Sequence, residues 1–207
     1  MKGVDTRLVN VLNELIKIMD VTIIALTGLP SSGKGEFSII SKSYGYEEVI
    51  MGDIIRNEIV SRNLEVNRLN SNKIMIDLRN TFGKDVIAKR TLDIIITKIE
   101  DGHSRILIDG IRSMDEINLF KNKFPDLIIV AIHANPKIRY ERSISRKRID
   151  DAHSKLSFNK RDQIELSVGI GDVIALSDYL IMSPNTVQEA HVAFSKVLDE
   201  IKNKKVL

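Results

Sequence analysis

Gly28-Leu29-Pro30-Ser31-Ser32-Gly33-Lys34-Gly35 is the stretch whose reading decides the fold. An apolar, strand-like run from Val21 to Thr27 precedes it, and a helix-patterned stretch from Gly35 to Tyr44 follows. Glycines in such a loop let the backbone curl so that successive N–H groups point inward at a phosphate. The start of the following helix adds the positive end of its dipole. Lys34 stands in register to reach the β and γ oxygens of a nucleotide. Gly28, Leu29, Pro30, Ser31, Ser32, Gly33, Lys34, Gly35 and Glu36 are therefore the expected nucleotide-binding residues, with Lys34 also catalytic. A Gly/Ser turn that matched by accident would lack the strand before, the helix behind and the lysine in register.

One position inside the motif departs from the usual pattern. Such loops place Ser or Thr after the lysine as a Mg²⁺ ligand, whereas here Gly35 and then Glu36 follow. A carboxylate at Glu36 could hold a metal-bound water or lie on the helix face near its positive end, and the second reading is favoured.

Working outward, apolar runs at Val21 to Thr27, Glu48 to Met51, Arg105 to Asp109, Leu127 to His133 and Tyr179 to Met182 read as buried strands separated by helix-patterned segments. Alternation of this kind predicts an α/β fold: a five-stranded parallel sheet flanked by helices, with ligands beyond the carboxyl ends of the strands. Residues 52–101 are helix-patterned, with breaks near Leu64 to Asn70 and at Gly83, and predict a helical insertion covering one side of the site. Ahead of the first strand, Val4, Leu8, Val11, Leu12, Leu15, Ile18 and Met19 form one apolar helical stripe. Residues 1–20 thus read as a helical extension to a single domain over 21–207, unless Met19 is the true start.

The chain has 207 residues, 43% apolar and 29% charged, which fits one soluble globular domain. The absence of cysteine excludes disulfides, thiolate metal sites and a cysteine nucleophile. No run has membrane-spanning length or signal-peptide layout, so no membrane partner and a cytoplasmic location are expected. The formal net charge of +3 is a weak argument for nucleic acid, although bases concentrate from Arg139 to Arg148.

Three further motifs fall at strand ends. In Met51-Gly52-Asp53-Ile54-Ile55-Arg56, Asp53 is either a helix N-cap or an active-site carboxylate, and Arg56 can point at an anion. Alone it would read as a cap; beside the other motifs it reads as catalytic. In Ile106-Leu107-Ile108-Asp109-Gly110-Ile111-Arg112, Asp109 has the place of a Walker B acid holding a water of the Mg²⁺ shell. Gly110 lets an acceptor approach the backbone, and Arg112 offers an acceptor phosphate a bidentate grip. After His133-Ala134-Asn135-Pro136, Arg139, Arg142 and Arg146 recur at helical spacing, and a closing lid over 142–165 would bring some of them over the γ-phosphate. Arg142 and Arg146 are the catalytic candidates among them, and Arg161, after a low-structure stretch from Asp150 to Ser157, is another lid candidate. His133 reads chiefly as a structural strand-end residue.

Together, G-L-P-S-S-G-K-G-E-F, V-I-M-G-D-I-I-R, I-D-G-I-R-S, V-A-I-H-A-N-P-K-I-R and E-L-S-V-G-I-G-D-V-I-A-L-S-D-Y-L-I resemble an archaeal group of P-loop kinases related to dephospho-CoA kinase and adenylate kinase, over about residues 21–200. The resemblance implies a P-loop nucleotide-kinase fold with a helical acceptor-binding region and a lid, with ATP and Mg²⁺ as cofactors. It implies that Gly28, Gly33 and Lys34 bind phosphate, Asp109 holds a Mg²⁺-bound water, and Arg56 and Arg112 face the acceptor. Asp53 matches the catalytic aspartate of dephospho-CoA kinases, and Asp178 to Thr186 resembles the last strand and turn beside the adenine. Glu36 and the short lid depart from adenylate kinase, which has Thr where this chain has Glu36. The expected activity is phosphoryl transfer to a small nucleotide-like acceptor, a nucleoside monophosphate or a dephospho-CoA type molecule. The competing expectation is an ATP-hydrolysing switch for RNA or a ribosome-assembly partner, which the basic segment allows and no aromatic-rich RNA motif supports.

Overall fold

A computed structural model describes residues 20–83, 85–146 and 154–204. The helical extension expected over 1–20 lies outside the described residues except for Asp20, as does the middle of the expected lid.

The strands β1 (Thr22–Thr27), β2 (Glu47–Ile50), β3 (Arg105–Ile111), β4 (Ile128–His133) and β5 (Tyr179–Met182) form one sheet in the order β2-β3-β1-β4-β5, every pairing parallel. β1 is central and buried along its whole length. Its run TIIALT has no solvent face to alternate with, which is the pattern of a parallel strand covered on both sides. Helices α1 (Lys34–Ser43) and α9 (Val187–Lys204) cover one face, where Phe37 and Phe194 meet edge to face with ring centroids 5.4 Å apart. On the other face lies a larger core built from α2 (Met51–Ser61), α3 (Arg68–Phe82), α4 (Val86–Glu100), α5 (Met114–Lys123) and α8 (Ile170–Ala175). The remaining helices, α6 (Pro136–Arg146) and α7 (Lys155–Val168), rise from the carboxyl edge of the sheet.

Helix ends follow local chemistry. Asn67 caps α3 and Ser113 caps α5, each accepting a backbone N–H from the first turn. Ser154 and Ser157 cap α7 reciprocally. This cap makes Lys155 to Ser157 helical, correcting the low-structure stretch expected through Ser157. The helix-patterned region 52–101 resolves into three helices, with breaks over 62–67 and at Gly83, whose φ of 99° suits glycine.

Candidate functional site

After Thr27 the chain turns through Gly28–Gly33 into α1. Gly28 has φ 141°, and a Cβ there would meet Ser32 Oγ at 2.8 Å and the Ile132 carbonyl oxygen closer still. No side chain fits. Ser32 N–H donates to the Leu29 carbonyl at 3.2 Å, closing the turn, and Ser31 takes a positive φ of 62°. Gly33 precedes α1 with no side-chain cap, so no side chain competes with an anion for the N–H groups that open the helix. Lys34 Nζ folds back to donate to the Gly28 carbonyl at 2.7 Å. Burial pushes its ammonium below the usual lysine range, and the charges of Asp109 and Glu165 oppose that shift.

Asp109 owes its aim to a bulge. β1 and β3 run in register up to Leu26 opposite Asp109, after which Thr27 pairs with Ile111, and Gly110 is passed over with φ 107°. A Cβ at Gly110 would find only Met51 Cβ, at 3.7 Å, so the glycine answers to backbone conformation rather than to crowding. Thr27 Oγ1 donates to the Ile111 carbonyl at 2.9 Å and pins the bulge. Asp109 Oδ1 is buried without a hydrogen-bond partner, and burial raises the carboxyl above its usual range against the pull of Lys34. Beyond the bulge, Arg112 N–H donates to Glu116 Oε2 at 2.8 Å, while Glu116 Oε1 accepts from Arg79 at 3.1 Å. Glu116 is buried; its carboxyl is pushed up by burial and drawn back by the Arg112 N–H and the Arg79 guanidinium.

Three spaces meet around these groups. The largest, about 440 Å³, runs from the loop residues Pro30 to Glu36 past Asp109 to the β5–α9 turn at Ser183–Thr186. A second, about 150 Å³, lies between α2, α3 and α7 and is lined by Arg56, Arg112, Arg161 and Glu165 with Ile55, Met75 and Val168. A third, about 180 Å³, connects them, with Lys34, Asp109, Arg112, Arg161 and Glu165 in its wall. Arg161 borders all three. Such a cleft can seat a phosphate chain on the loop and a second anion on the arginines, with Lys34 and Asp109 between.

Most expected site residues come together here, including Gly28, Arg56, Gly110 and Arg112. Leu29 borders none of the three spaces and contributes the carbonyl that closes the turn. Asp53 also borders none of them. The helix N-cap is Ile50, so the capping role weighed for Asp53 is corrected: it lies in the first turn and accepts from Arg56 Nε at 2.7 Å. Arg139 is not a lid group. It is 1% exposed, forms a bidentate pair with Asp162 at 2.9 and 2.5 Å, donates to the Ala134 carbonyl and lies over the Phe158 ring. Arg142 lines the large cavity and donates to Ser183 Oγ at 2.8 Å and the Pro184 carbonyl at 2.6 Å, which ties it to the β5–α9 turn. Arg146 reaches Ser31 Oγ at 3.5 Å. His133 acts through its carbonyl, which accepts from Ser183 N–H at 2.7 Å, and Asp178 accepts from Ile129 N–H at 2.7 Å.

Glu165 was not foreseen. Its signal lies in helical spacing: Phe158 and Glu165 stand seven apart on α7, and both are buried. An acid on the buried stripe of a helix marks either an ion pair or a site.

The donor set suits Mg²⁺ held through water. Asp109 offers one buried oxygen without a donor, Gly35 leaves open space where a Cβ would stand, and no group of three His, Asp or Glu residues that could hold a metal occurs among the described residues. Mg²⁺ keeps several waters and takes one carboxylate plus phosphate oxygens, which such a site can supply.

A parallel sheet, a glycine-rich loop opening α1 and an acidic residue at the bulge near the carboxyl end of β3 define a P-loop nucleotide-binding protein. Residues 27–157 match the family described as an AAA domain. The chain is 37% identical over 184 residues to UPF0200 protein TK1334 of Thermococcus kodakarensis, covering 88% of this chain and 99% of that one. It is 38% identical over 179 residues to a UPF0200 protein of Hyperthermus butylicus, covering 86% and 94%. With UPF0200 protein MJ1399 of Methanocaldococcus jannaschii it shares 35% identity over 181 residues, covering 87% and 91%. The chain belongs to this UPF0200 family, found in archaea and built on a P-loop AAA domain. The crystal structure of TT1252 from Thermus thermophilus shares the fold, with a TM-score of 0.61 at 13% identity, covering 87% of this chain and 97% of that one. No helix among the described residues is long and apolar enough to cross a membrane.

Proposed function

We propose that this protein transfers the γ-phosphoryl group of ATP to a small nucleotide-like acceptor, of the nucleoside monophosphate or dephospho-CoA type. One observation carries the reading: a phosphate-binding loop and an arginine-lined cavity open into each other at Lys34, Asp109 and Arg161. The second cavity offers an anionic acceptor a place beside the donor site, which nucleotide binding alone does not require.

Phosphoryl transfer asks the protein for positioning and charge neutralisation. The loop N–H groups and the start of α1 hold the β-phosphate, and Lys34 exchanges the Gly28 carbonyl for phosphate oxygens. Asp109 would hold a water of the Mg²⁺ shell; the ion, when bound, neutralises charge on the β and γ oxygens. Arg142 and the Ser183–Thr186 turn enclose the nucleoside. Arg56 and Arg112 receive the acceptor's phosphate. Asp53 holds Arg56 in place, and Glu116 holds the backbone of Arg112. Arg161, on the border of donor and acceptor spaces, follows the migrating group.

A coupled phosphorylation screen over the nucleoside monophosphates and dephospho-CoA, with ATP and Mg²⁺, tests the proposal. Turnover of one acceptor at 1 s⁻¹ or above, the order typical of kinases, is the expected result. Slow ATP hydrolysis stimulated only by RNA would replace it with the switch reading.

A further inference from the structure

The geometry points to Glu165 as the group that receives a proton from the acceptor, and hence to an acceptor that attacks through a hydroxyl rather than a phosphate oxygen. The inference rests on the phosphotransfer reading above and narrows it.

Glu165 projects from α7 into the wall shared by the acceptor cavity and the connecting space. Its side chain is 9% exposed. Oε2 lies 3.3 Å from Arg112 Nε, an ion contact without hydrogen-bond alignment, and is buried with no donor. A buried carboxylate oxygen with an ion contact but no aligned donor is only partly satisfied. The arrangement is relieved when a ligand brings an O–H there. Lys34 and Asp109 line the same connecting space as Glu165, so this one space joins the carboxylate to the lysine of the phosphate loop. Lys34 itself feels the charge of Glu165.

Charge decides between the two acceptor chemistries. An attacking phosphate oxygen is anionic and would be brought up between two carboxylates, Asp109 and Glu165, whose repulsion the arginines would have to offset. A hydroxyl is neutral and supplies the missing donor. Arg56, Arg112 and Arg161 line the same acceptor cavity and face a phosphate the acceptor already carries, which selects a phosphorylated alcohol such as a nucleotide with a free ribose hydroxyl. In the step, the hydroxyl oxygen bonds to the γ-phosphorus, the bond from that phosphorus to the bridging oxygen breaks, and its electron pair leaves with ADP. The hydroxyl proton passes to Glu165 and then to water. Asp53, the base expected from the sequence, borders none of these spaces.

The test compares wild type, Glu165→Gln, Glu165→Asp and Asp53→Asn. ATP affinity is read with a fluorescent ATP analogue, and turnover with dephospho-CoA and adenosine 3′- and 5′-monophosphates. Products are located on oxygen or phosphate by ³¹P spectroscopy. The expected result is a product phosphorylated on a hydroxyl, a kcat about 10²–10⁴-fold lower in Glu165→Gln, partial recovery in Glu165→Asp, and, in Asp53→Asn, a raised acceptor KM through Arg56 without that fall in kcat. ATP affinity should stay within twofold throughout. A diphosphate product formed equally well by Glu165→Gln, or loss of turnover in Asp53→Asn alone, overturns the inference while phosphotransfer stands. No phosphorylated product from any acceptor, with ATP still bound, overturns both. Should Glu165→Gln fail to fold, the product's position in the wild type and the Glu165→Asp rate still decide.

Discussion

Asp109 is held in a place that costs the protein stability. Because its folded pKa is raised, the unfolded chain gives up this proton first as pH rises, and the native state is disfavoured above the ordinary value of 3.8. Asp109→Asn should therefore raise the melting temperature of the ligand-free protein at neutral pH, by about 2–4 °C for each kcal/mol relieved. The gain should be absent below about pH 3.8 and grow as pH rises through the folded pKa. Melting curves across pH check the sign, and the same variant should lose the dependence of ATP affinity on Mg²⁺. Lys34→Ala is expected to leave the fold intact and to weaken triphosphate binding at least tenfold, measured by titration calorimetry, since water cannot replace a fixed ammonium at the β and γ oxygens. Both residues were legible in the sequence because a motif names them. Glu116 and Glu165 were not, since their meaning lies in partners 37 and 53 positions away, Arg79 and Arg112.

The elements that frame the cleft are tied by charge as much as by apolar packing. Arg139 on α6 and Asp162 on α7 make a bidentate pair whose side chains are 2% and 16% exposed. Removing one partner strands the other. Arg139→Met should cost about 3–5 kcal/mol by chemical denaturation, and the double variant Arg139→Met/Asp162→Leu should recover much of it. Basic spacing along α6 put Arg139 with Arg142 and Arg146 among the arginines a lid could use, yet spacing cannot tell a buried arginine from an exposed one. Asp162 decides that, 23 residues away. The same limit explains β3. Its run of apolar residues and Asp109 marked a strand end, whereas pairing continues to Ile111 through a bulge that only the register with β1 specifies. α7 began earlier than expected because the Ser154–Ser157 cap, short and polar, reads in sequence as loop.

At the scale of the whole chain, the sheet was the most legible part. Five apolar runs alternating with helical periods leave few topologies once right-handed crossovers are required, and the order β2-β3-β1-β4-β5 puts the loop after the central strand. What could not be read was how the spaces above the sheet join, because that depends on where α7 lies across the carboxyl edge. One consequence concerns traffic between the two ends of the cleft. Arg142 on α6 grips the Ser183–Pro184 turn at the large cavity, while Glu165 and Arg161 on α7 border the second one, and the Arg139–Asp162 pair ties those two helices into a single lever. A ligand that shifts one arm must be felt at the other. Bound acceptor should accordingly tighten ATP some 5–150-fold, the span of ordinary coupling energies, and ATP must tighten the acceptor by the same factor. In Asp162→Asn, with the lever uncoupled, paired titrations should find the two affinities independent.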